Sequence, residues 1–214
     1  MVTDAPTVSS AERAYLFTKA QIIRGVLPGG GLISEGQICD ELGISRTPVH
    51  EAFLRLAAEH LLVLSSRKGA VVAPMSPSEG EDVLEMREAI ERAAADRLIR
   101  AGGPAPEVAA RLHLLLERQQ AALEADDVDE FVDADDEFHS GVVAASGNGI
   151  AVHLWGLLRD RQQRMRSQLL RMRPDRLPAA LDDHRQLLDR LVAADLAGFE
   201  AVLTTHLERH RGAL

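Results

Sequence analysis

The chain has 214 residues, 46% of them hydrophobic, with a single cysteine (Cys39) and a formal net charge of −9. One cysteine excludes an internal disulfide and any CxxC zinc or redox pair. No run approaches the about 20 apolar residues of a membrane-spanning helix, and the polar N-terminus lacks the basic start and apolar run of a signal peptide, so the chain is expected to be cytoplasmic and not in a membrane.

Aromatics make up only 3% of the residues, while alanine and leucine dominate. That bias favours packed helices over a β-sandwich. The acidic charge is uneven. Residues 1–75 hold seven Lys/Arg and seven Asp/Glu, so the whole excess of acid lies in residues 76–214. A neutral head on an acidic body can still bind DNA if its bases share one face.

Residues 1–10 are short, polar and aperiodic, and read as disordered. A helix follows over 11–26, with Ala14, Phe17, Ile22 and Ile23 near helical spacing, and Leu27-Pro28-Gly29-Gly30-Gly31 ends it. Ser34-Glu35-Gly36-Gln37 fits a capping box that opens a second helix running to Leu42. Gly43 suits the left-handed residue after that helix. Thr47-Pro48 then reads as an N-cap with proline at the first helical position. Val49, Ala52, Phe53 and Leu56 form one apolar stripe on this third helix. Two short helices joined by a glycine turn make a helix-turn-helix.

The apolar runs 61–64 and 70–73 flank Ser65-Ser66-Arg67-Lys68-Gly69, which predicts a β-hairpin with a basic tip, a wing beside the helix-turn-helix. In such an arrangement the N-terminal residues of the recognition helix meet base edges. The candidates are Ser45, Arg46, Thr47 and His50, with Arg67, Lys68 and Gly69 on the wing. Arg46 can pair bidentately with guanine, and the hydroxyls can hold phosphates. Each arginine taken alone also reads as an ordinary solvated charge.

Pro74-Met75-Ser76-Pro77 marks a domain junction, giving a head over 11–75 and a second domain over 76–214. Beyond it, glycine and proline breaks delimit helices at 77–102, 105–125, 127–146, 149–173, 177–194 and 196–212. The predicted fold is mainly α: an N-terminal winged helix-turn-helix and a C-terminal all-α antiparallel helical bundle. In the bundle, Asp135 and His139 stand at i, i+4 on one helix face, and His184 and His206 lie on two later helices. One carboxylate and three imidazoles suit a divalent first-row ion such as zinc, nickel or manganese. Spacing alone leaves open that these histidines are ordinary core or surface residues.

The head resembles the GntR family of bacterial transcriptional regulators. The matching stretches are Ile22-Ile23-Arg24-Gly25, Leu27-Pro28-Gly29, Leu32 and Glu35, then Leu42-Gly43-Ile44-Ser45-Arg46-Thr47-Pro48-Val49, Glu51-Ala52, Leu56 and Gly69-Ala70-Val71-Val72. Three positions depart from the family pattern. His50 and Gly36 stand where arginine is usual, and His60 where glycine is usual, which implies an altered operator or weaker binding. Residues 77–212 resemble the FCD ligand-binding domain of FadR-type members, through Asp135-x-x-Phe138-His139, Ala145-Ser146-Gly147-Asn148, and Arg87 with Glu91.

That resemblance implies a metal held by Asp135, His139, His184 and His206, zinc before nickel or manganese. It further implies a small carboxylate effector bound beside the ion. Arg87 is the first candidate for the effector clamp, with Asn148, Arg161 and Arg164 behind it. The implied partners are a double-stranded, pseudo-palindromic DNA operator and a second copy of the chain. Two other readings compete. A metal-dependent hydrolase or lyase could use the same four ligands, although no HExxH motif is present. Alternatively, the metal could be purely structural.

Overall fold

The computed structural model describes residues 8–65 and 69–211, without the side chains of 168–172 and 210. The chain divides into two compact units, the first ending at Met75 and the second beginning at Ser76.

The first unit is built from α1 (Ser10–Ile23), β1 (Leu32–Ile33), α2 (Glu35–Leu42), α3 (Arg46–Ala58), β2 (Leu62–Ser65) and β3 (Gly69–Val72). Residues 9 and 10 belong to an ordered helix start, which corrects the expected disorder there: the Ser9 hydroxyl accepts from the Glu12 N–H at 3.1 Å. Ser34 caps α2 as expected, accepting from the Gln37 N–H at 3.1 Å. Gly43 takes the left-handed conformation that ends it, with φ 64°.

The third helix begins two residues earlier than the proline suggests. Its N-cap is Ser45, not Thr47, so Pro48 is the third helical residue. The Ser45 side chain makes no capping bond. An N-cap hydroxyl normally accepts from the N–H of the second or third residue, and proline removes the latter donor. Val49, Ala52, Phe53 and Leu56 are buried against Ala14, Tyr15, Ile22, Ile38 and the sheet residues Ala70 and Val72, so the periodic stripe of α3 is the centre of the head's core.

β1 is only two residues long, too short for an alternation signal. It pairs antiparallel with β3, giving the order β1-β3-β2. This third strand explains Gly69. Its φ is 91°, and a Cβ there would sit 2.8 Å from the Ser34 Cα and overlap the Ile33 carbonyl oxygen. His60 carries φ 59° just after α3, a conformation that costs an L-residue about 1–2 kcal/mol and glycine almost nothing. The head therefore accepts backbone strain where the family pattern has glycine.

The second unit consists of α4 (Pro77–Arg100), α5 (Pro106–Glu124), α6 (Val128–Ala145), α7 (Gly149–Met172), a 3-10 turn over Pro174–Arg176, α8 (Leu177–Val192) and α9 (Leu196–Arg211). Ser76 caps α4 and Asp127 caps α6 through side-chain bonds of 3.1 and 3.0 Å. α4 packs on α6, α7 and α9, while α5 packs on α6 and α8. Buried leucines, alanines and Phe131, Phe138 and Phe199 fill the bundle. Among the described residues, no helix is long and apolar enough to cross a membrane.

Candidate metal centre and DNA-reading face

Each helix of the bundle sends a polar group into the otherwise apolar interior. Asp135 and His139 come from α6, His184 from α8 and His206 from α9, and all four are at most 1% exposed. One donor atom from each lies within 4.8 Å of the others. The His184 Nε2 is 3.2 Å from the His139 Nε2 and 3.2 Å from the Asp135 Oδ1.

The outer nitrogens decide what the inner ones can do. His139 Nδ1 lies 2.6 Å from the Glu91 carboxylate, His184 Nδ1 lies 2.7 Å from the Gln119 amide oxygen, and His206 Nδ1 lies 3.4 Å from the Asp183 carboxylate. These acceptors assign the ring proton to Nδ1, so each Nε2 faces inward as a lone pair. Two lone pairs 3.2 Å apart repel unless a cation lies between them. Ligands of one tetrahedral zinc stand about 3.3 Å apart. A ring whose far nitrogen donates to a carboxylate or amide is the usual state of a metal-bound histidine. The residues present therefore fit a divalent ion.

The charges agree. Burial, with Arg87 nearby, pushes His139 down to about 4 against the pull of Glu91, so the ring is neutral near pH 7. Burial raises Glu91, but His139 and Arg87 outweigh it and hold it down to about 2. Burial likewise opposes ionisation of Asp135, yet Arg166 and His184 keep it well below the usual carboxylate range. Phe138 stacks on the His184 ring at 5.2 Å and meets His139 edge-on at 5.3 Å, walling the site on one side.

Arg87, on α4, is fully buried. Its Nε donates to Glu91 at 2.7 Å, one Nη lies 3.4 Å from the His206 Nε2, and the other Nη has no partner. The remaining effector candidates fare differently. The Asn148 oxygen caps α7, accepting from the N–H groups of Ile150 and Ala151 at 3.2 Å each. Arg161 is a half-exposed partner of Glu79 at 3.3 Å. Arg164 is only 7% exposed, and burial depresses its pKa against the attraction of Glu79.

Sequence reasoning missed Arg166. It is fully buried and binds both Asp135 and, at 2.6 Å, Asp136. It also missed Gln119, Asp183 and Gln162. The only available signal was helical phase: residues 155, 162 and 166 fall within roughly 40° of each other at 100° per residue, and Trp155 marks the inward face.

On the head, Ser45, Arg46, Thr47 and His50 are all exposed at the start of α3. Glu35 of α2 binds the His50 Nδ1 at 2.6 Å, which leaves the other ring nitrogen to face outward. Arg67 and Lys68 lie outside the described residues. Glu137, two residues from both Asp135 and His139, is half-exposed and bound to Arg118 at 3.0 Å.

Comparison with known proteins agrees with this arrangement. The FCD domain matches residues 82–209, and the pattern of bacterial regulatory proteins of the gntR family matches residues 10–72. An HTH-type transcriptional regulator in the TAR-I ttuE-ttuC' intergenic region of Agrobacterium vitis is 39% identical over 144 residues, 65% of this chain and 84% of that protein. The gluconate operon transcriptional repressor of Bacillus licheniformis is 29% identical over 181 residues, 85% of this chain and 72% of that protein. The solved structure of McbR/YncC from E. coli has the same fold, with a TM-score of 0.75, 24% identity and 95% of each chain covered. The chain therefore belongs to the GntR family of bacterial transcriptional regulators, as a FadR-type member with an FCD domain.

Proposed function

We propose that the protein is a cytoplasmic, ligand-responsive regulator that binds a pseudo-palindromic operator as a homodimer. Its effector is a small organic acid, bound at a divalent metal centre. Zinc is the first choice of ion, since three imidazoles and one carboxylate match its donors. Asp135, His139, His184 and His206 hold the ion, which supplies a positive centre for an acid's carboxylate. Arg87 supplies the second anchor. The observation that carries this reading is the unpartnered Nη of a fully buried arginine whose neighbouring Nη contacts a metal ligand. A buried cation with an unused donor is costly alone and suited to an anion.

The operator-reading group is Arg46, with Ser45, Thr47, His50 and the wing residues Arg67 and Lys68 holding the duplex. A second copy of the chain would cover α7, where Ile150, Leu154 and Leu157 form one stripe, 75%, 40% and 60% exposed. Effector binding then shifts the population of dimer states that fit both half-sites. A regulatory role is the preferred reading, since two carboxylates near the ligands are already engaged, Glu137 with Arg118 and Glu91 with Arg87 and His139.

Titration calorimetry with short carboxylic acids tests the sensing role. Metal-loaded protein is expected to bind a subset of them, and chelator-stripped protein to bind none. Arg87→Met should weaken binding at least tenfold, about 1.4 kcal/mol or more. Equal binding with and without metal would assign the ion a purely structural part.

A further inference from the structure

Two exposed side chains of the head form a contact that the apolar core does not need. The His50 Nδ1 of α3 lies 2.6 Å from the Glu35 carboxylate of α2. Their side chains are 57% and 30% exposed. The two helices of the helix-turn-helix are thus joined near their N-terminal ends, on the side that faces outward. Glu35 is held in place from behind. It is the first residue of α2, directly after the Ser34 cap, and α2 packs on α3.

The contact decides what the ring can offer to a partner. A carboxylate only accepts, so the ring proton belongs on Nδ1. In the neutral ring the outward Nε2 is then a lone pair. His50 stands one turn after Arg46, at i+4 on the same face of α3. Arginine has donors alone. The face therefore presents a donor and an acceptor in fixed order along the helix.

Resting on the DNA-reading role above, we propose that Glu35 and His50 act as one specificity unit. Glu35 fixes the ring so that Nε2 accepts from the amino group of an adenine or cytosine, on the strand nearer the ring. In the major groove, adenine N6 and cytosine N4 are donors, whereas guanine and thymine present acceptors at their edges. An arginine in place of His50 could only donate and would choose guanine. Phosphate is a poor alternative partner, because its oxygens also lack a proton to share and the Glu35 charge repels them. Glu35 is a positioning residue in this unit, and His50 is the reader.

Selection from a random duplex pool by full-length protein at about pH 8, which favours a neutral imidazole, gives the half-site. Anisotropy with single-base variants of that half-site then measures each position. His50→Ala identifies the relevant position as the one whose preference disappears while the Arg46 position is kept. In the wild type, adenine or cytosine there is expected to bind at least about threefold more tightly per half-site than guanine or thymine, as one net hydrogen bond gives. Glu35→Gln should flatten that preference, since its amide can donate or accept and leaves the proton free to sit on either nitrogen. Loss of the Glu35 charge by itself tightens binding to every duplex alike, so it cannot mimic this result. His50→Arg should switch the position to guanine. Guanine or thymine at that position in the wild type, no position that responds to His50→Ala, or a preference unchanged in Glu35→Gln overturns the proposal while the Arg46 reading stands. A pool with no enriched motif removes both. If Glu35→Gln fails to fold, the wild-type base at the His50 position decides alone.

Discussion

Replacement of His184 by alanine is expected to abolish the zinc-dependent rise in melting temperature. In the wild type, free zinc at about 100 times its dissociation constant contributes about 2.7 kcal/mol, or roughly 5–10 °C for a domain of this size. His184 is a fully buried donor 3.2 Å from both Asp135 and the His139 Nε2. Without it the ion loses one of four ligands and a ring already aligned by Gln119. The readout is the difference between zinc-loaded and chelator-treated samples of each variant, so destabilisation of the metal-free fold cancels. His113→Ala is the control, since His113 is exposed in the groove between α5 and α8 with Glu117 and Arg185. A zinc shift in His184→Ala equal to that of the wild type would remove His184 from the ligand set.

Replacement of Arg46 by alanine is expected to remove most operator discrimination and leave the protein folded. Arg46 is the first residue of α3 and is exposed, so the fold does not need it. A bidentate arginine–guanine contact contributes about 1–3 kcal/mol of discrimination, and two half-sites double that. Specific affinity should fall roughly 30-fold or more, with a smaller loss on non-specific duplex. Fluorescence anisotropy against both DNAs at two salt concentrations separates the roles. If Arg46 instead holds a phosphate, binding weakens equally on every sequence and the salt dependence drops by about one ion per half-site.

The bundle was legible because its helices are punctuated. Gly102-Gly103-Pro104, Gly147-Asn148-Gly149 and Pro174 each fall at an observed boundary, and periodicity supplies the rest. The metal quartet was half legible. Asp135 and His139 announce themselves by i, i+4 spacing, whereas His184 and His206, on later helices, become more than ordinary histidines only through the family resemblance. The groups that orient these ligands are not legible at all. Glu91 stands 48 residues from His139, and Gln119 stands 65 from His184; no local pattern encodes a contact made by tertiary packing. Arg161 and Arg166 are both arginines on one helix, and only helical phase separates them. β1 escaped for the opposite reason: two residues carry no period, and only the close approach at Gly69 betrays the strand.

Regulation by this protein depends first on sequence-selective DNA binding by the head. Selection of bound duplexes from a random pool by the full-length protein measures it directly. The expected result is enrichment of a two-fold related pair of short half-sites at a fixed spacing, lost when the pool is presented to Arg46→Ala. A pool that emerges unenriched at low salt, from protein shown to be folded, would contradict it.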